Sequence, residues 1–133
     1  MNPRQQMGWY NGWSPEQRIA TLQIQRDAIR TGAIPRPATC LICRCTPAPG
    51  SENPVWLHDE DYSQPLLAYH VCRSCHRLLH ERFERPEPWR ALVHAHGTGD
   101  LWFEYLTMDP AAQWRPFGET YPDGLPRGGS DNS

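Results

Sequence analysis

The sequence predicts an α+β fold: a small metal-stapled core of two strands and a helix, with one helix added before it and one or two after it. Three observations carry this expectation. The cysteines fall into two Cys-x-x-Cys pairs, Cys40/Cys43 and Cys72/Cys75. Between the pairs lie two short runs rich in β-branched and aromatic residues, Val55-Trp56-Leu57-His58 and Ala68-Tyr69-His70-Val71, the first of them opened by Pro54. Immediately after the second pair, Leu78, Leu79 and Phe83 recur at helical spacing until Pro86 ends the run, so a helix is expected over residues 74 to 85.

Two thiolates separated by two residues can grip one tetrahedral zinc, and two such pairs complete a four-thiolate set of Cys40, Cys43, Cys72 and Cys75. Reduced buried thiols or two disulfides are the alternatives. A disulfide within Cys-x-x-Cys closes a very small loop, and the paired spacing favours one shared structural Zn2+. The order of knuckle, loop, strand, strand, knuckle and helix is that of a treble-clef zinc module, a ββα finger whose ion pins the helix against the hairpin and stands in for a core. Cys45 is left over as a spare thiol, with exchange for Cys43 as its alternative role.

The remaining elements follow in order. Residues 1 to 13, with Trp9, Tyr10 and Trp13, form an aromatic arm expected to dock on the body. Ser14-Pro15-Glu16-Gln17 is a helix start, with Ser as N-cap, Pro at the first helical position and Gln closing a capping box. Gly32, Pro35 and Pro37 stop that helix near Thr31. Ile19, Leu22 and Ile29 give it an apolar stripe, leaving Arg18, Arg26 and Arg30 for solvent or phosphate. Residues 46 to 53 are turn chemistry throughout. Pro86-Glu87-Pro88-Trp89 opens a further helix to about Ala95, stopped by Gly97, whose His94 and His96 read as surface residues favoured by the helix dipole. Leu101 to Leu106 is expected to be helical with Asp100 as cap, and Ala111 to Trp114 a further turn.

Composition bounds the rest. A chain of 133 residues corresponds to one domain; the reading is an arm over 1–13, a single zinc-binding domain over 14–120 with its core in 40–85, and a disordered tail over 121–133. Hydrophobic content of 38% and mean hydropathy of -0.72, with 14 Pro and 10 Gly, exclude a coiled coil and a membrane-spanning chain. The residues Met1-Asn2-Pro3-Arg4 lack a signal peptide's apolar stretch, so the expected address is the cytoplasm, where thiols stay reduced. The net charge of -2 is unevenly distributed. Residues 1 to 45 carry Arg4, Arg18, Arg26, Arg30, Arg36 and Arg44 against only Glu16 and Asp27. Nucleic-acid contacts are expected there and at Arg73, Arg77 and Arg82. Every cationic side chain is arginine, which suits bidentate phosphate contacts.

On the expected helix, His76 and His80 are four residues apart and share a face. Together with the upstream run His58-Asp59-Glu60-Asp61-Tyr62-Ser63-Gln64-Pro65-Leu66, the Cys72-x-x-Cys75-His76-x-x-x-His80 pattern resembles the HNH endonucleases, in particular small phage and bacterial members with HHEDYSKPL followed by CxxCHxxxH. The match covers residues 40 to 83. It implies a ββα finger holding a catalytic divalent ion through His58, His76 and His80, beside a structural four-cysteine zinc. The position that resembles the family's general-base histidine is Asp59, whose carboxylate is a weaker base at neutral pH unless burial raises its pKa, and the position of the bracing Asn or Asp is Leu67.

Three functions remain open at this point. One is a zinc-binding, nucleic-acid-associated HNH-like protein with a degenerate or weak site made of His58, Asp59, His76 and His80. Another is an active nuclease in which Asp59, Glu60 or Asp61 helps hold Mg2+, Mn2+ or Zn2+, or His70 supplies the base; a capped turn made by Asp61 and Ser63 is the structural alternative for that acidic run. The last is a protein-interaction module docking through Trp9, Trp13, Trp102 and Trp114, with core filling of a small domain as the structural alternative for those rings.

Overall fold

The computed structural model describes residues 8–126, which cluster into two compact units, each built from separate stretches of chain. Residues up to 36, 59–68 and 110–123 form the first; 37–58, 69–109 and the segment from 124 form the second. The sequence reading gave a single domain over 14–120.

The first unit is built on α1, Pro15–Thr31, and its ends are those its residues dictate. Ser14 Oγ accepts from the Gln17 amide at 3.2 Å while Gln17 Oε1 accepts from the Ser14 amide at 2.9 Å, a closed capping box. Gly32 adopts φ 83° at the other end and donates to Ile29 O. The buried face, however, is Arg18, Thr21, Gln25 and Ala28, and the expected apolar stripe of Ile19, Leu22 and Ile29 is only half-buried along its flank. Arg18 is therefore not available to phosphate. It donates to Gly8 O and to Tyr62 Oη, and its guanidinium lies 5.3 Å and 5.6 Å from the ring centroids of Tyr10 and Tyr62.

Asn11 and Gly12 form a tight turn with φ of 51° and 84°, closed by paired hydrogen bonds between Tyr10 and Trp13. Asn-Gly is the dipeptide such a turn favours, because both central residues need positive φ. Gly12 has a second constraint, since a Cβ there would stand 2.8 Å from Pro116 Cα. The remaining elements of this unit are short: a 3-10 turn at Pro65–Leu67, another at Pro110–Gln113, and α4, Phe117–Thr120. Tyr121, expected to begin a disordered tail, is buried and donates its amide to Phe117 O; residues 127–133 of that expected tail lie outside the described residues.

The second unit carries a two-stranded antiparallel sheet of β1, Val55–His58, and β2, Tyr69–Cys72, running directly into α2, Arg73–Glu81, and then α3, Pro86–His96. The register pairs Val55 with Cys72 and His58 with Tyr69. Asn53 Oδ1 accepts the Ser74 amide at 2.8 Å and Pro54 O accepts the Arg73 amide, so the loop before β1 caps the start of α2. α2 stops at Glu81 rather than at residue 85: the residue before Pro86 is pushed out of the helical region, and Arg85 has φ -134° and ψ 75°. Leu101 to Leu106 forms one 3-10 turn, Trp102–Tyr105, with Leu101 at the position before it and no side-chain cap; the Asp100 carboxylate accepts from Thr98 instead.

This unit's core is Ile42, Val71, Leu79, Trp89, Trp102 and Phe103, all at most 2% exposed. Arg82 is buried with them. Its Nε donates to Thr107 O at 2.8 Å and its Nη1 to Leu79 O at 2.9 Å, and it lies 4.3 Å from the Phe83 ring centroid, so it is a structural tie and not a surface phosphate contact. Among the described residues, no helix is long and apolar enough to cross a membrane.

Candidate metal centres

Two groups of side chains in the second unit could each hold a metal ion: Cys40, Cys43, Cys72 and Cys75, and His58, His76 and His80. Within each group the donor atoms all lie within 4.8 Å of one another.

The knuckle at 40–43 folds as a tight loop because Cys40 O accepts the Arg44 amide at 3.0 Å and the Cys40 amide donates to Cys45 O at 2.9 Å, with Arg44 at φ 67°. The Leu41 amide donates to His70 O at 2.7 Å, which fastens the knuckle to β2. The second pair is delivered differently: Cys72 ends β2 as the N-cap of α2, and Cys75 lies in the first turn. The Sγ atoms of Cys43 and Cys72 are 3.8 Å apart. Four sulfurs at the Zn–S distance of about 2.3 Å occupy tetrahedral corners about 3.8 Å from one another, the spacing of this pair.

The thiols also report crowding. Cys75 donates to Cys40, which holds the Cys40 sulfur well below the ordinary thiol range and drives Cys75 above it. Burial pushes Cys43 up, and burial pushes Cys45 up to about 12. Sulfurs this crowded disfavour one another's charge, and a divalent cation placed among them would offset that repulsion. Cys45 is not one of the four donors.

The histidine group is assembled by the hairpin and α2 together. His58 ends β1 and is 2% exposed; His76 and His80 are one helical turn apart on α2. His58 Nδ1 lies 3.2 Å from His76 Nε2, and His76 Nε2 lies 3.1 Å from His80 Nε2. Nitrogens bound to one zinc at about 2.0–2.1 Å stand about 3.3–3.4 Å apart, close to the observed spacing. Each neutral imidazole has one lone-pair nitrogen, and the convergence of three on one point is what a ligand set requires. The stack behind them fixes the rings: Tyr69 lies on Trp102 with centroids 3.9 Å apart at 8°, and Trp102 lies 6.2 Å from His58 at 27°.

The acidic run after His58 is engaged elsewhere. Both Asp59 carboxylate oxygens accept from Gln25 Nε2 at 2.9 Å. Glu60 accepts from the Tyr10 hydroxyl and from Asn11 Nδ2. Asp61 accepts from the amide and hydroxyl of Ser63 and from Gln64, which is the capped turn. None of the three belongs to either donor group. His70 pairs with Leu57 on β2, so strand alternation puts it on the face opposite His58.

Of the tryptophans expected to form a docking surface, Trp102 is 1% exposed and packs behind His58, and Trp13 is half-buried against Tyr62 and Phe117. Trp9 and Trp114 are exposed. The sequence reading missed Gln25, Tyr10 and Asn11 as the residues that hold the acidic run; only the Asn11-Gly12 turn signal pointed that way. Trp56, read there only as part of a strand, is 44% exposed and 5.9 Å from His76.

Compared with known proteins, the chain matches no family model, no curated protein and no solved structure.

Proposed function

We propose that this chain is a metal-dependent nuclease of the HNH type, built on a treble-clef module in which a structural Zn2+ sits among Cys40, Cys43, Cys72 and Cys75 and a second divalent ion among His58, His76 and His80. The observation that carries this reading is the convergence of three imidazole nitrogens at 3.1–3.2 Å. Three protein ligands leave a coordination position open, the arrangement of hydrolytic rather than structural sites. A divalent ion so held supplies Lewis acidity toward a phosphoryl oxygen and a hydrolytic nucleophile at neutral pH.

The protein's own side chains hold and screen that site. His58 is buried and braced by Trp102, while His76 and His80 are half-exposed and accessible to a substrate. Arg73 and Arg77 are exposed on the same helix and supply cations for phosphate oxygens. With Asp59 bound to Gln25, no side-chain base is assigned in this reading, and rapid turnover is not expected.

A second reading, nucleic-acid binding without hydrolysis, is favoured by that same Asp59 contact. A plasmid-nicking assay with Mg2+, Mn2+ or Zn2+ separates them. Wild type is expected to nick with at least one ion, and His80→Ala to lose at least 100-fold in rate while keeping its far-UV spectrum and one tightly held zinc. Nicking that survives in His80→Ala would remove the histidine site from the reaction. No nicking with any ion, together with a salt-sensitive DNA shift, would establish the binding-only reading.

A further inference from the structure

We propose that the cleft beside the histidine group accepts an unpaired base, so that the substrate is single-stranded or locally opened nucleic acid rather than intact duplex. This rests on the nuclease reading above and names the substrate class of the same site.

The cleft is about 290 Å3 and is lined by Trp56, Arg73, His76, Arg77, His80 and Glu81. Trp56 is two residues before His58 on β1, so both side chains leave the same face of the strand, one step apart. The indole is 44% exposed, on a strand whose other large side chains are at most half-buried or fully covered. A tryptophan that folding alone governed would bury more of its area, since the ring carries a large apolar surface. Arg73 and Arg77 are one turn apart on α2 and both exposed, flanking the indole with positive charge. The one acid of the cleft, Glu81, is engaged by Arg77 at 3.4 Å and Arg85 at 3.6 Å, which offsets its repulsion of phosphate.

An aromatic face beside arginines, next to a hydrolytic metal site, matches the chemistry of a nucleotide: base on the ring, phosphate on the guanidinium groups. The base must be unpaired. In a duplex both faces of each base are covered by its neighbours, and a side chain can stack only on a base that has left the helix or was never in it. The cleft's volume is at the small end for ligand sites, of the order of a single base. One stacked base is worth about tenfold in affinity.

The test uses full-length zinc-loaded protein without added Mg2+ or Mn2+, and a fluorescein-labelled 12-nucleotide DNA offered single-stranded or as blunt duplex, followed by anisotropy. Wild type is expected to bind the single strand about tenfold more tightly than the duplex. Trp56→Ala should abolish that preference, Trp56→Phe should keep most of it, and Arg77→Ala should weaken both ligands alike. If Trp56→Ala fails to hold its zinc, Trp56→Leu, which keeps apolar area but has no ring, decides the matter. Equal or tighter duplex binding by wild type, or an unchanged ratio in the ringless variant, overturns the inference while leaving the nuclease reading intact. Failure of wild type to bind either DNA overturns both.

Discussion

Removing the proposed zinc from the four-cysteine group should unfold the second unit, and the size of the effect can be worked out beforehand. The cage ties the knuckle at 40–43, otherwise fastened by the Leu41 amide to His70 O, to the junction of β2 and α2. The sheet they enclose has two strands of four residues each, too small to stand alone in water. A structural zinc with four protein ligands contributes about 10–16 kcal/mol at neutral pH, whereas a whole domain of this size is stable by about 5–15 kcal/mol. Loss of the ion is therefore comparable to the entire margin. The assay is hydrogen exchange read by mass spectrometry before and after chelation, with released zinc counted by a colorimetric chelator. Amides of β2 and α2 should lose their protection, and the thermal transition of the second unit should vanish rather than shift by a few degrees. The same should follow from Cys40→Ser with Cys75→Ser. Unchanged protection in β2 and α2 after one equivalent of zinc has been released would refute the argument, because it would mean that the apolar core around Leu79 and Trp102 suffices.

Two further outcomes follow from buried polar groups. Arg82→Ala leaves the carbonyls of Thr107 and Leu79 without their guanidinium partner in the core and should cost about 3–5 kcal/mol, seen as a lower urea midpoint in zinc-saturated buffer; an effect below 1 kcal/mol would show that water replaces the guanidinium. Burial raises the Tyr62 hydroxyl to about 12 against the pull of Arg18. Between about pH 10 and 12 the native state keeps a proton that the unfolded chain has lost, so this contribution is complete below pH 10 and drains as pH rises, by about 3 kcal/mol in all. Tyr62→Phe should flatten that part of the pH–stability curve, and phenolate absorbance titrating at pH 10 in the native protein would contradict the assignment.

What the sequence made legible was whatever depends on local chemistry. The ends of α1 follow from Ser14, Gln17 and Gly32, the strands from short β-prone runs, and the two knuckles from spacing. What it concealed was polar burial. The face of α1 that goes inward is Arg18, Thr21, Gln25 and Ala28, and a hydrophobic pattern cannot find a stripe of polar groups satisfied partly by partners more than thirty residues away, as Gln25 is by Asp59 and Arg18 by Tyr62. Arg82 was misread for the same reason: an arginine on a helix end reads as surface until its carbonyl partners are known. Trp102 reads from the sequence as either a docking residue or core filler, because a six-residue apolar run carries no periodicity that distinguishes inside from outside, and its burial decides for the core.

The two metal groups are not independent, and the reason lies in register. Cys72 ends β2, Cys75 and His76 are adjacent in the first turn of α2, and His58 faces Tyr69 across the sheet. Slipping β1 by one residue against β2 would send His58 to the opposite face and replace it with Leu57 or Asp59. Turning α2 by one residue, about 100°, would carry His76 and His80 away from His58 and would also take Cys75 out of its cage. The cage therefore does more than stabilise: by fixing Cys72 and Cys75 at the junction of β2 and α2, it sets the phase of the helix that bears the imidazoles. On this argument a residue inserted between Cys75 and His76 should leave the four-sulfur zinc in place and abolish the second site. One tightly bound equivalent of zinc would remain, and the weaker equivalent would be lost. Retention of both equivalents in that insertion variant would show that the histidines find each other without help from the cage.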